Sequence, residues 1–254
     1  MTELEKERDK IEKSATVIVE EISKNNDNAR NQTRLDLLFI MDITNSMDYY
    51  LDQVKKYILD IISTIQINCA GSEIYLGFIG YKDFIDLDFG EQYINLEFTT
   101  NYESISKNIE YLVADGGGDT PEDLCGALEL AKNKEWSGNT KFAILVTDSP
   151  CHGEQYHNLT GDQKDNYPEG DREGRNIEEF IEYFAKNDIS LFCLKINSTT
   201  DIMFNKFSEV YNKNKKENSR NKFVLEDGKK LHDIVTKNAI DMFQHRDVLS
   251  IFKN

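Results

Sequence analysis

The sequence predicts an α/β protein, Rossmann-like and doubly wound, with a mostly parallel central sheet flanked by helices. Three observations lead there. From residue 35 onward, short apolar runs alternate with longer amphipathic stretches, the pattern of strand-helix-strand units. The run 35–41 is apolar except at Asp36, as suits a central strand buried on both faces. Oxygen-bearing side chains then follow predicted strands at their carboxyl ends, where open parallel sheets bind ligands.

Taken in order, residues 1–33 read as an amphipathic helix and linker. Leu4, Ile11 and Ile18 recur at heptad spacing, with Ala15 and Ile22 on the adjoining stripe, and 25–31 is the linker. Docking of this helix on its own domain is preferred over a short coiled coil, because so few heptads are poor grounds for supercoiling. The main domain is expected over 34–247 and a tail over 248–254. Strands are expected at 35–41, 74–81, 93–98, 142–147, 189–196 and 223–225. Helices are expected at 49–67, 102–113, 121–133, 175–187, 201–212 and 231–244. The first of these helices carries the clearest buried stripe, in Leu51, Val54, Ile58, Ile61, Ile62 and Ile65. Pro121 suits a first helical turn, and Thr199 or Thr200 suits the cap of a later helix. Residues 149–174 form a long polar loop directly after a strand, a position at which long loops are often functional.

Composition narrows the function classes. With 30 Lys and Arg against 46 Asp and Glu, the net charge of -16 repels phosphate backbones and anionic lipid, so nucleic acid and membrane insertion are not expected. The amino terminus has neither a basic segment nor an apolar signal core, and no stretch is long and apolar enough to span a bilayer. Cys69, Cys125, Cys151 and Cys193 lie far apart without a C-x-x-C pair, which fits reduced thiols in a cytoplasmic protein.

Three segments carry the site. The first strand runs into Asp42-Ile-Thr44-Asn-Ser46, offering a carboxylate and two hydroxyls on one side of a turn. After a helix comes Asp115-Gly-Gly-Gly-Asp119-Thr120, whose glycines let the backbone lie close to a neighbour while Asp119 or Thr120 turns inward. Asp148 ends the strand at 142–147. Oxygen ligands of this kind suit a hard cation. Asp48, Asp83, Asp86 and Asp123 are read as solvated charges that add negative potential nearby.

This D-x-T-x-S, G-G-G-D-T and T-D set resembles the metal-ion-dependent adhesion site of von Willebrand factor A domains, with Thr44 in place of the usual serine. The segment from Thr147-Asp-Ser-Pro-Cys-His through Asp171 is similar to the A domains that accompany eukaryotic alpha-kinases. The resemblance covers about 35–244 and implies an A-domain fold with metal ligands Asp42, Thr44, Ser46, Thr120 and Asp148, with Asp119 as the alternative to Thr120. It implies Mg²⁺, with Mn²⁺ or Ca²⁺ in reserve, and a protein partner whose Asp or Glu completes the coordination. No kinase-like segment is read in these residues, so a non-enzymatic binding module is expected, or a regulatory relative of alpha-kinase proteins. The competing reading places an enzyme or zinc site at Cys151, His152 and His157. A structural role for these three is preferred, the spacing being no recognised zinc pattern. The glycine run lacks the lysine of a phosphate loop. Trp136, His232 and His245 read as packing or surface residues.

Overall fold

The computed structural model describes residues 33–68, 72–84, 91–161, 164–227 and position 240. The expected amino-terminal helix and linker, the tail, Asp86, His232 and His245 lie outside these residues. So does the expected helix at 231–244, except for Ile240, which is helical and packs against the hydrophobic core.

The strands are β1 (Thr33–Asp42), β2 (Ser72–Tyr81), β3 (Tyr93–Thr99), β4 (Thr140–Thr147), β5 (Ser190–Lys195) and β6 (Phe223–Asp227). The helices are α1 (Asp48–Asn68), α2 (Tyr102–Glu110), α3 (Leu124–Lys132), α4 (Ile177–Lys186) and α5 (Asp201–Asn214). The strands form one six-stranded sheet in the order β3-β2-β1-β4-β5-β6. All neighbours are parallel except β2 and β3, which run antiparallel. The chain winds outward from β1 in one direction and returns to its other side at β4. The carboxyl ends of β1 and β4 are therefore the switch point, where a crevice opens between diverging connections.

Strand alternation divides the core in two. Leu35, Leu37, Phe39 and Met41 of β1 face a layer with Val54, Ile58, Ile61 and Ile65 of α1 and Ile105 and Ile109 of α2. Leu38 and Ile40 face the opposite layer, filled by Leu124 and Leu128 of α3, Ile181 and Phe184 of α4, and Phe204 and Phe207 of α5. Both faces of β1 are thus covered, as its unbroken apolar run requires. Among the described residues no helix is long and apolar enough to cross a membrane.

Tertiary contacts account for the two helix ends that depart furthest from the sequence expectation and for the cap of a third helix. Helix α2 stops at Glu110, because the chain must straighten for the Asp115 amide to reach the Ile43 carbonyl at 3.1 Å. Helix α3 starts at Leu124 rather than around Pro121. The Glu122 amide is engaged by the Pro150 carbonyl at 3.0 Å, and the Asp123 carboxylate caps the helix by accepting from Gly126 N at 2.8 Å. At α5, Thr200 occupies the cap position without a capping side-chain bond, while the Thr199 hydroxyl turns to the Asp148 carbonyl at 2.5 Å. Trp136 packs edge-on to Phe98 and donates its indole N–H to the Ala131 carbonyl at 2.8 Å, the packing role expected of it.

Candidate functional site

At the switch point, β1 delivers Asp42 fully buried. Its Oδ1 accepts from the Thr44 amide at 2.9 Å and from the Thr44 hydroxyl at 2.6 Å, bonds that fold the D-x-T-x-S segment into a tight turn. Thr147, at the end of β4, brings its hydroxyl within 3.1 Å of Asp42 Oδ2 and 2.9 Å of the Ser149 carbonyl, so its single proton serves one or the other. The Ser46 hydroxyl lies 3.4 Å from that of Thr44 and donates to Asp148 Oδ1 at 3.0 Å. Ser149 reaches the same Asp148 oxygen at 3.2 Å. Ser46 is exposed and Asp148 half-buried, so this chain of oxygens starts in the core and ends at solvent.

The glycine loop is drawn in through its backbone. Asn45 N approaches the Gly116 carbonyl at 3.5 Å, Asp115 N bonds Ile43, and Lys82 forms an ion pair with Asp115. Gly116 and Gly117 take φ of +87° and +108°, a region other residues rarely enter. At its far end, Glu122 bridges to Cys151 in parallel register. Thr120 lies in the chain between these two anchored points and is half-buried, and among the described residues no hydrogen bond joins it to Asp42, Ser46 or Asp148.

Electrostatics explain what this cluster lacks. Burial, then the charge of Asp148, pushes the Asp42 carboxyl up to about 7, although three hydrogen bonds pull the other way. None of these leading influences is a positive charge. Two carboxylates with attendant hydroxyls and no thiolate or imidazole form an all-oxygen donor set, which suits a hard divalent cation.

Asp119 has its contacts with the loop after β4. Its Oδ2 accepts from the Asn166 amide at 2.7 Å, and it lies with His152 and Asp165, one ligand atom of each falling within 4.8 Å of the others. His152 is flanked by Asp165 Oδ1 at 2.6 Å from Nδ1 and by Asp83 Oδ1 at 2.8 Å from Nε2. Burial pulls this imidazole down, yet the bonds to Asp165 and Asp83 outweigh it and hold the group up at about 9. His157 Nε2 meets the other Asp165 oxygen at 3.0 Å.

Two aspartates expected at the surface are buried. Asp83 is 0% exposed because His152 covers it, and Asp123 is 1% exposed because it caps α3 and receives Tyr93 and Arg175. Asp48 is exposed, as expected. The Cys151 thiol is buried, which pushes its pKa well above the ordinary thiol value, and it lines a cavity of about 250 Å³ with Cys125, Tyr156 and Arg175. His152 and His157 serve as hydrogen-bonding struts of the 149–174 loop. In the sequence Thr147 and Ser149 stand only as part of a motif and Thr199 only as a helix cap, none of them with a role in the site. Thr147 and Ser149 flank Asp148, and that adjacency to a strand end was the available signal.

The von Willebrand factor A domain model matches residues 36–161, a span that contains all three site segments. In sequence the chain is 33% identical over 190 residues to the alpha-protein kinase vwkA of Dictyostelium discoideum, covering 74% of this chain. It spans only 29% of that relative's length. Among solved structures it is similar to the pilus adhesin SpaC of Lactobacillus rhamnosus GG, with TM-score 0.56 and 16% identity over 85% of this chain and 31% of that one. It is also similar to the vWF domain of the type V pili tip protein Mfa5 of Porphyromonas gingivalis, with TM-score 0.53 and 10% identity over 84% of this chain and 96% of that one. At such identities these structures show the shared fold alone. With the family model, the kinase-associated relative and the sheet topology in agreement, the chain belongs to the von Willebrand factor A domain family.

Proposed function

We infer that the domain binds a protein partner through a divalent cation held by Asp42, Thr44, Ser46, Thr120 and Asp148. The observation that carries this reading is the Ser46 hydroxyl 3.0 Å from Asp148 Oδ1, which joins the loops after β1 and β4 into one oxygen cluster open to solvent. Mg²⁺ is the cation the donor set favours, with Mn²⁺ and Ca²⁺ as substitutes. The ion would supply the positive charge that Asp42 and Asp148 lack, and an Asp or Glu of the partner would fill its open position. Asp42 fixes the turn through Thr44, Ser46 forms the solvent-facing rim, and the glycine loop brings Thr120 alongside.

A binding role is favoured over catalysis. A nucleophilic cysteine needs a depressed thiol pKa, whereas burial raises that of Cys151. The three buried free thiols Cys125, Cys151 and Cys193 support a reducing, cytoplasmic setting. The likeness to an alpha-protein kinase favours a regulatory use of the same site, docking near such a kinase.

Thermal melts of metal-free wild type and Asp42→Ala, with and without Mg²⁺, test the ion. At free Mg²⁺ 100 times its dissociation constant, wild type should gain about 2.7 kcal/mol and the variant little. Equal gains in both proteins overturn the assignment. For the partner, chelation and Asp148→Ala should each abolish the same interaction, and their effects should not add.

A further inference from the structure

A second group of ligand-type side chains lies at the same end of the sheet but shares no side chain with the first. Asp83 follows β2, Asp119 lies on the glycine loop, His152 follows β4 and Asp165 belongs to the long loop. We propose that Asp119, His152 and Asp165, backed by Asp83, form a second metal centre for a borderline transition-metal ion of the Zn²⁺ type.

The geometry comes first. One ligand atom from each of Asp119, His152 and Asp165 lies within 4.8 Å of the other two. Bonds of about 2.0–2.2 Å to a central zinc put neighbouring ligands roughly 3.4 Å apart, so the group closes on an ion by small side-chain shifts. The side chains of Asp83, His152 and Asp165 are 0%, 3% and 2% exposed, which shields the site from water.

Two unpartnered atoms point to a missing ligand. Asp119 Oδ1 and Asp83 Oδ2 are buried acceptors with no hydrogen-bond partner among the described residues. Native proteins rarely leave such oxygens bare, because each costs on the order of 1–3 kcal/mol. His152 has no nitrogen to spare for them, since both already face carboxylates. Three carboxylates thus surround one imidazole, and the shortfall is positive charge.

The donor types select the metal. One imidazole nitrogen with carboxylate oxygens and no thiolate suits Zn²⁺, whereas Mg²⁺ and Ca²⁺ favour oxygen alone. When one ring nitrogen of His152 turns to the ion, the other keeps a carboxylate, the second bond that orients metal-bound histidines. The ion takes the place of the proton between His152 and a carboxylate, so binding releases protons and weakens in acid. Its structural consequence is to clamp the 149–174 loop to the glycine loop that carries Thr120.

The test is a Zn²⁺ titration of the metal-free full chain against a chromogenic chelator, with wild type, Asp42→Ala and Asp119→Asn. The Asn side chain retains an oxygen for the Asn166 amide and a similar shape. Wild type and Asp42→Ala should bind about one equivalent alike, while Asp119→Asn should bind at least about ten-fold more weakly. X-ray absorption of the zinc-loaded wild type gives a readout that needs no variant, and should show imidazole and oxygen scattering without sulfur. Absent binding, unchanged affinity in Asp119→Asn, loss confined to Asp42→Ala, or a sulfur shell would each overturn the proposal. The Asp42→Ala arm also separates this centre from the one inferred for the partner, so either can fail alone.

Discussion

Asp36 interrupts the apolar run of β1, and its surroundings show why the fold keeps it. The side chain is fully buried, accepts from the Ser137 and Gly138 amides at 2.8 and 2.6 Å, and pairs with Arg34 at 2.6 Å. It closes the turn that leads into β4. Asp36→Ala strands two amides and should cost about 2–6 kcal/mol, from about 1–3 for each unsatisfied buried group; a urea midpoint equal to wild type would contradict this. His152 gives a pH signature in metal-free protein. Its pKa is raised to about 9 in the fold, against about 6.5 unfolded, so the native state binds the extra proton between these values. Its contribution is whole below pH 6.5 and fades as pH rises through 9. Melts across that window in chelator should lose stability for wild type and much less for His152→Gln, and parallel curves would refute the pairing. The sequence could not reveal such partners: His152 and Asp83 are separated by 69 positions, and Arg175 and Asp123 by 52. An aspartate without visible company reads as a surface charge, and only the fold supplies the company.

Among elements, strands and helices were legible because periodicity reports burial directly. Residues 35–41 and the α1 stripe lie where apolar spacing placed them. Ends were less legible, since long-range bonds decide them: Glu122 leaves the helical pattern to meet Pro150, and the chain after Glu110 straightens toward Ile43. The polar loop after β4 carried no periodic signal, because Asp165 organises it. That carboxylate receives the Gly153 and Tyr167 amides, each at 2.7 Å, as well as both imidazoles. Helix α3 packs equally closely. A methyl group at Gly126 would stand 2.0 Å from the Tyr93 hydroxyl and 2.6 Å from Arg175 Nη1. Gly126→Ala should therefore cost about 1–3 kcal/mol by overpacking, despite the better helix propensity of alanine. A stabilised variant in denaturant titration would show that Tyr93 and Arg175 yield freely.

For the molecule as a whole, the sheet order gives the candidate site its place. The alternation of elements announced a doubly wound sheet, and Asp42 and Asp148 duly emerge at one end, on adjacent strands. The antiparallel β3 and the grouping of Asp119 with His152 and Asp165 were not legible, because neither pairing direction nor loop trajectory leaves a mark on composition. β1 bears the central packing of the sheet, so Phe39→Ala should destabilise the fold by about 3–5 kcal/mol in a denaturant titration, and a loss below about 1 would contradict the two-layer account. The central claim is that the switch point between β1 and β4 holds a divalent cation. Its most direct test is an anomalous difference map from crystals grown with Mn²⁺. The account predicts a peak at about 2.0–2.5 Å from the Ser46 hydroxyl, with Asp42, Thr120 and Asp148 around it; a map with strong manganese peaks elsewhere and none among these residues would contradict it.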